Sequence, residues 1–159
     1  MNIRIGFGYD VHRLEKGRDL WIGGIRIPHY QGTLGHSDGD VLIHAVCDAL
    51  LGALDLGDIG IHFPDTSDEF RDIRSTILLE KTYQLVREKK YALVNLDSTV
   101  ILEKPKIRDH IPQMKETLAG ILQTSPSNIS IKATTSEKMG FIGRGKGLAA
   151  CANVLLRSV

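Results

Sequence analysis

At 159 residues, 42% hydrophobic and 25% charged, the chain has the proportions of one globular domain, residues 1–159. A formal net charge of +1 excludes the strong field that holds nucleic acid or an anionic membrane surface, and an aromatic share of 6% is too small for a base-stacking platform. No apolar run approaches the roughly 20 residues of a membrane span, so neither nucleic acid nor membrane is expected as a partner. Cys47 and Cys151 sit in apolar company and read as small buried hydrophobes rather than a disulfide, which favours a reducing compartment. The N-terminus runs straight into a strand with no signal or transit peptide, so a cytoplasmic location is expected.

In chain order, residues 2–8 alternate, with Ile3, Ile5 and Phe7 on one side, and predict a strand. "LWIGGIRIP" is two short apolar arms around Gly23-Gly24, the pattern of a tight hairpin. Residues 28–38 read as loop. A helix is expected to start near Asp38–Asp40, which suit its cap, and to stop at Gly57. "DIGIHFPD" reads as loop. Helices are predicted over 72–90 and over 111–123, the second with Pro112 in its first turn. Strands are predicted over 91–105, stopped by Pro105, over 128–135 and over 148–158, with a Gly-rich loop at 136–147. This order predicts an α+β fold, a two-layer sandwich rather than a doubly wound sheet.

Three stretches carry candidate chemistry. On the first helix Asp40, His44 and Asp48 are spaced i, i+4, i+8 and share one face of an otherwise apolar segment. A buried polar stripe is costly unless satisfied. It reads either as a metal site at His44 with a carboxylate orienting the ring, or as a core histidine bonded to Asp48. In "GYDVHR", Asp10 and His12 lie two residues apart, so on an extended segment both point the same way. With His44 they would form three ligands with one position left for substrate, the pattern of a catalytic zinc; alone, the pair also reads as polar surface. In "KATTSEKMGFIGRGKG", hydroxyls, glycines and the basic Arg144 and Lys146 suit phosphate oxygens, or make an ordinary flexible loop. The residues alone therefore describe a small metalloenzyme acting on a phosphorylated substrate.

"GYDVHR", "GHSDGDVLIHAVCDALLGALDLGDIGIHFPD", the "KPKI" and "HIPQM" runs and "IKATTSEKMGFIGRGKG" together resemble the 2-C-methyl-D-erythritol 2,4-cyclodiphosphate synthase family, over essentially the whole chain. The resemblance implies an α+β subunit of ferredoxin-like type, a mixed sheet with helices on one face. It implies a homotrimer with active sites between subunits. The reaction implied is conversion of 4-diphosphocytidyl-2-C-methyl-D-erythritol 2-phosphate, a CDP-linked small molecule, to the cyclic diphosphate and CMP in non-mevalonate isoprenoid biosynthesis. Asp10, His12 and His44 then match ligands of Zn²⁺ or another divalent ion, and Glu137 the ligand of a Mg²⁺ or Mn²⁺ bridging the substrate diphosphate. His36 and Thr135 match the groups that stabilise the reacting phosphates, and Ser37 contacts substrate beside His36. Asp58 and Gly60 match ribose contacts. Phe63, Pro64, Asp65, Thr66 and Ser67 border the methylerythritol. Pro105, Lys106, Ile107 and Arg108, with Ala133, Thr134 and Thr135, match the cytidine pocket. Phe141 and Arg144 match residues near the trimer axis, where an isoprenoid diphosphate is held.

Within this reading Asp48 and Asp40 are expected to orient His44 and cap its helix. The chain departs from the family at Ile61, where Lys is frequent, at Ile142, where Thr is common, and in the variable residues 14–19. Two other functions fit parts of the pattern: a non-catalytic trimeric module binding isoprenoid diphosphates, and a metal-dependent phosphohydrolase in which water replaces the internal phosphate.

Overall fold

The computed structural model describes residues 2–159. Its elements in chain order are β1 (Ile3–Lys16), β2 (Leu20–Ile22), β3 (Ile25–Ile27), β4 (Gln31–Leu34), α1 (Val41–Ala53), α2 (Ile59–His62), α3 (Ser75–Glu88), β5 (Tyr91–Ile101), α4 (Ile111–Ile121), β6 (Ile129–Thr134), α5 (Gly140–Gly143) and β7 (Gly147–Ser158). Five strands form one mixed sheet in the order β4-β1-β7-β5-β6. Only β5 and β6 are parallel; the other pairs are antiparallel. The fold is α+β, as expected. The β2–β3 hairpin turns at Gly23 and Gly24, both at positive φ (62° and 80°), and stands apart as a two-stranded sheet.

The glycines of β1 decide how the main helix sits. A Cβ on Gly6 would fall 1.8 Å from the Ala49 carbonyl oxygen, and one on Gly8 1.8 Å from that of Ala45. The backbone of α1 therefore lies directly on β1, helped by its own small residues Ala45, Ala49 and Ala53. Gly6, Gly8, Asp10 and His12 share one side of the strand. The strand thus presents bare backbone under the helix and then the side chains of Asp10 and His12 beyond it. Ile3, Ile5, Phe7, Tyr9 and Val11 point to the other side and are exposed. Leu42, Ile43 and Leu50 of α1 are fully buried in one core with Leu79, Leu96, Met114 and Leu118.

Several boundaries differ from the sequence expectation. β1 runs to Lys16 because β7 pairs with it from Ile3 to Arg13 and β4 from Arg13 to Lys16. β4 itself lies in the segment expected to be loop. α1 is capped by Asp40, whose side chain accepts from the Ile43 N–H, but ends at Ala53 rather than Gly57. Asp55 adopts the left-handed conformation (φ 56°) there, and the Asp55 and Leu56 N–H groups donate to Gly52 O and Leu51 O at 3.2 and 3.0 Å. This is a Schellman closure with Asp in the place usually held by glycine. Short helices α2 and α5 occupy two segments read as loop. Among the described residues no helix is long and apolar enough to cross a membrane.

Candidate active site and metal centre

The close seat of α1 on β1 brings His44 to Asp10 and His12. Asp10 Oδ2 lies 2.8 Å from His12 Nε2 and 3.0 Å from His44 Nδ1, and the two ring nitrogens are 3.1 Å apart. His12 Nδ1 donates to the Leu34 carbonyl at 3.1 Å, because a carbonyl only accepts. In the neutral ring that leaves His12 Nε2 without a proton, facing a carboxylate oxygen. Two acceptors this close call for a cation between them, either a proton on the ring or a metal ion. One oxygen and two nitrogen donors within 4.8 Å of one another fit a divalent ion of the zinc type.

Without a metal, Asp10 and His12 favour each other's charged forms. Burial resists ionisation of Asp10, but the bonds and charges of His12 and His44 outweigh it and hold the carboxyl well below the ordinary carboxylate range. Burial likewise disfavours a charged His12, yet the bond and charge of Asp10 prevail and raise its pKa above 6.5. Cys47 is no rival nucleophile: burial pushes its thiol up to about 12.

His12 and His44 open onto a cleft of about 270 Å³ that also contains His36, Ser37, Gly60, Phe63 and Asp65. Ile59, Phe70, Ile73 and Leu78 complete its apolar wall; as scattered apolar residues they carried no sequence signal of a site. His36 Nε2 donates to Ser67 O at 3.3 Å. Asp58 caps α2 through the Ile61 N–H at 3.0 Å. Pro64, Thr66 and Ser67 continue the chain from Phe63 beside the cleft.

The remaining candidates lie elsewhere on the chain. Thr134 ends β6, and its carbonyl accepts from the Leu102 N–H at 2.9 Å, joining the segment before Pro105 to the strand carrying Ala133. Lys106 and Arg108 are exposed, whereas the Ile107 side chain is buried in the core and offers only its backbone. Thr135 Oγ1 accepts from the Glu137 N–H at 3.2 Å. Glu137 and Lys138 hold positive φ angles (54° and 62°) in a turn wrapped around Glu103. The Glu103 carboxylate accepts from the Ser136 N–H and hydroxyl and from the Lys138 N–H, and those bonds, Ser136 first, keep it below the ordinary carboxylate range. Glu137 itself is exposed and does not join the Asp10 cluster. Phe141 borders a second, larger opening of about 650 Å³ with Val11, Arg13 and Lys146, and His12 lines both it and the cleft. Arg144 is exposed.

The expected cap role of Asp40 holds, and the expected role of Asp48 in orienting His44 is corrected. Asp40, fully buried, accepts from the N–H groups of Gly23, Gly24 and Ile43, so it caps α1 and ties the hairpin to it. Asp48 accepts from the Ile59 N–H at 2.8 Å and fixes the start of α2. Neither touches the His44 ring. Its neighbours on the side away from the cluster are Ser37 and Ser75, the latter hydrogen-bonded to Asp38.

Fold and site define an α+β protein of enzyme type, with a carboxylate and two imidazoles that could hold a metal ion, the imidazoles lining a cleft of about 270 Å³. The YgbB family model matches residues 3–157, and the chain belongs to that family. It is 56% identical over 156 residues, 98% of each chain, to 2-C-methyl-D-erythritol 2,4-cyclodiphosphate synthase of Bacteroides thetaiotaomicron. Its structure is similar to that of the bifunctional IspDF from Campylobacter jejuni, with a TM-score of 0.96 and 42% identity over 99% of this chain and 43% of that one. It is also similar to IspF of Plasmodium falciparum in complex with CDP, with a TM-score of 0.87 and 36% identity over 99% of this chain and 97% of that one.

Proposed function

We infer that this chain converts 4-diphosphocytidyl-2-C-methyl-D-erythritol 2-phosphate to 2-C-methyl-D-erythritol 2,4-cyclodiphosphate and CMP. The observation that carries the reading is the convergence of Asp10, His12 and His44 at a cleft, in a chain matched end to end by relatives of that name. In the reaction an oxygen of the 2-phosphate attacks the β-phosphorus of the CDP group. The bond from that phosphorus to the CMP oxygen breaks, and CMP leaves with the electron pair. The nucleophile is already anionic, so no strong base is required; the difficulty is repulsion between phosphates.

Divalent ions, at Asp10, His12 and His44 and (as Mg²⁺ or Mn²⁺) at Glu137, supply positive charge that offsets this repulsion when bound. Glu137, a single exposed carboxylate, suits an ion that takes its other ligands from phosphate oxygens and water. The chain's own groups do the rest. His36, at the cleft, donates from its ring to a phosphate oxygen gaining charge. Thr135 accepts from the Glu137 N–H and so keeps its hydroxyl proton to donate in the same way. Ser37 and Gly60 line the cleft and, with Asp58, hold the polar part of the substrate. Phe63 to Ser67 enclose the methylerythritol. Bending the substrate into a ring is an entropic problem that such enclosure addresses. Pro105 to Arg108 and Ala133 to Thr135 take the cytidine, largely through backbone.

The proposal extends to assembly. The cleft residues and the Thr135–Glu137 group belong to different ends of one chain, and the exposed row Ile3, Ile5, Phe7, Tyr9 and Val11 offers an apolar sheet face. Three copies meeting on that face would place one chain's Glu137 region against another's cleft, with Phe141 and Arg144 near an axis suited to an isoprenoid diphosphate. A single-domain, two-layer, ferredoxin-like subunit working in the cytoplasm completes the proposal. Product structure tests the reaction: a cyclic diphosphate with one equivalent of CMP supports it, while a linear phosphorylated product supports hydrolysis instead.

A further inference from the structure

We propose that Ser75 and Asp38, braced by Arg74, are positioning residues that fix the tautomer and aim of His44; the proposal rests on the reading of Asp10, His12 and His44 as a metal centre. His44 presents Nδ1 to Asp10 and His12. Its other nitrogen, Nε2, lies 2.9 Å from Ser75 Oγ and 3.1 Å from Ser37 Oγ. A serine hydroxyl has one proton to give. Ser75 Oγ lies 2.5 Å from Asp38 Oδ1, and a carboxylate there only accepts, so the Ser75 proton goes to Asp38. Toward His44, Ser75 must therefore accept. That places hydrogen on Nε2 and leaves the Nδ1 lone pair facing the cluster. The opposite tautomer would point an N–H at the ion.

The support behind this contact is built rather than incidental. Ser75 is fully buried. Asp38 has only 7% of its side chain exposed, and its second oxygen accepts from the Ser75 N–H at 3.0 Å. It thereby caps α3, whose own N-cap residue Arg74 makes no side-chain cap bond. Arg74 Nε stands 3.6 Å from that carboxylate, and its guanidinium lies 3.9 Å over the Trp21 ring on β2. The backbone adds Asp38 N–H to Ile73 O at 3.2 Å and Asp72 N–H to His36 O at 2.9 Å. The segment carrying His36 and Ser37 is thus joined to the start of α3, with Ser75 between the carboxylate and the ring. Ser37 is the weaker partner: its oxygen also accepts from the Gly39 N–H, and no carboxylate stands behind it.

Groups that hydrogen-bond a metal-bound imidazole set its orientation and basicity, and their loss lowers metal affinity about 10–100-fold. The test uses the full chain, stripped of metal and reloaded with zinc, as wild type, Ser75→Ala, Asp38→Asn and the double variant. Zinc affinity is read by competition with a chromophoric chelator, and the ring nitrogens by ¹⁵N NMR of labelled histidine. The expected wild-type spectrum shows His44 bound through Nδ1 with a proton on Nε2. Ser75→Ala should weaken zinc about 10–100-fold. Asp38→Asn should act in the same direction, and the double variant should bind no more weakly than Ser75→Ala, because Asp38 works through Ser75. Unchanged zinc affinity in Ser75→Ala, or His44 bound through Nε2 in the wild type, overturns the proposal. Ser75→Ala keeps the Asp38 bond to the backbone N–H of residue 75; should it nevertheless fail to fold, the wild-type nitrogen spectrum decides alone. Wild-type protein that takes up no zinc overturns the metal-centre reading itself, a separate result.

Discussion

Gly8 of β1 faces the Ala45 carbonyl of α1 so closely that a Cβ on the glycine would sit 1.8 Å from that oxygen. The obstacle is helix backbone, not the end of a flexible side chain, so Gly8→Ala must push α1 away from the sheet. Overpacking of this kind costs about 3 kcal/mol. The same shift carries His44 away from Asp10 and His12. Urea denaturation should show the loss of stability, and a chelator competition should show weakened zinc binding in whatever fraction folds. Wild-type zinc affinity in Gly8→Ala would mean that the helix seat does not set the site.

Asp40 and Asp10 separate structure from chemistry. Asp40→Ala leaves the buried N–H groups of Gly23 and Ile43 and the half-buried N–H of Gly24 without their acceptor and should cost about 3 kcal/mol in the unfolding free energy. Where it remains folded it should still bind zinc. Asp10→Ala and His44→Ala should do the reverse, remaining folded while losing zinc and CMP release. Equilibrium unfolding and metal analysis of the purified variants distinguish the two patterns.

The Asp10–His12 pair makes the metal-free protein pH-dependent in a definite direction. His12 has its pKa raised above 6.5 in the folded state, so its contribution is fully present below pH 6.5 and is lost as pH rises through the raised value. Asp10, lowered from 3.8, contributes above pH 3.8 and loses that contribution only as pH falls through its lower folded value. Metal-free wild type should therefore be more stable at about pH 6 than at about pH 8.5 as far as this pair is concerned, and Asp10→Asn should flatten the difference. Zinc affinity should run the other way, falling about tenfold per pH unit below the His12 pKa as protons displace the ion. Zinc affinity that does not change over this range would contradict the assignment of His12 as a ligand.

Much of this site is legible in the residues. Two-residue spacing on an extended chain puts Asp10 and His12 on one side, and a helix starting at Asp40 carries His44. What spacing does not convey is which side chains meet. Asp48 shares a helix face with His44, yet it turns to the Ile59 N–H. Asp38 looks like a cap for the helix that follows it, but it caps α3 and braces Ser75, a contact made across 37 residues. The length of β1 is hidden for a related reason. "DVHRLEK" lacks an apolar alternation, and its extended form comes from pairing with β7 and β4. The end of α1 escaped because Asp55, not glycine, takes the left-handed position.

The most direct test of the account is phosphorus NMR of the reaction with 4-diphosphocytidyl-2-C-methyl-D-erythritol 2-phosphate and Mg²⁺. Wild-type protein is compared before metal stripping, after it, and after zinc is restored. The account predicts a cyclic diphosphate with one equivalent of CMP, lost on stripping and recovered with zinc. A linear product, or cyclisation that persists at full rate in protein verified to contain no metal at Asp10, His12 and His44, would contradict it.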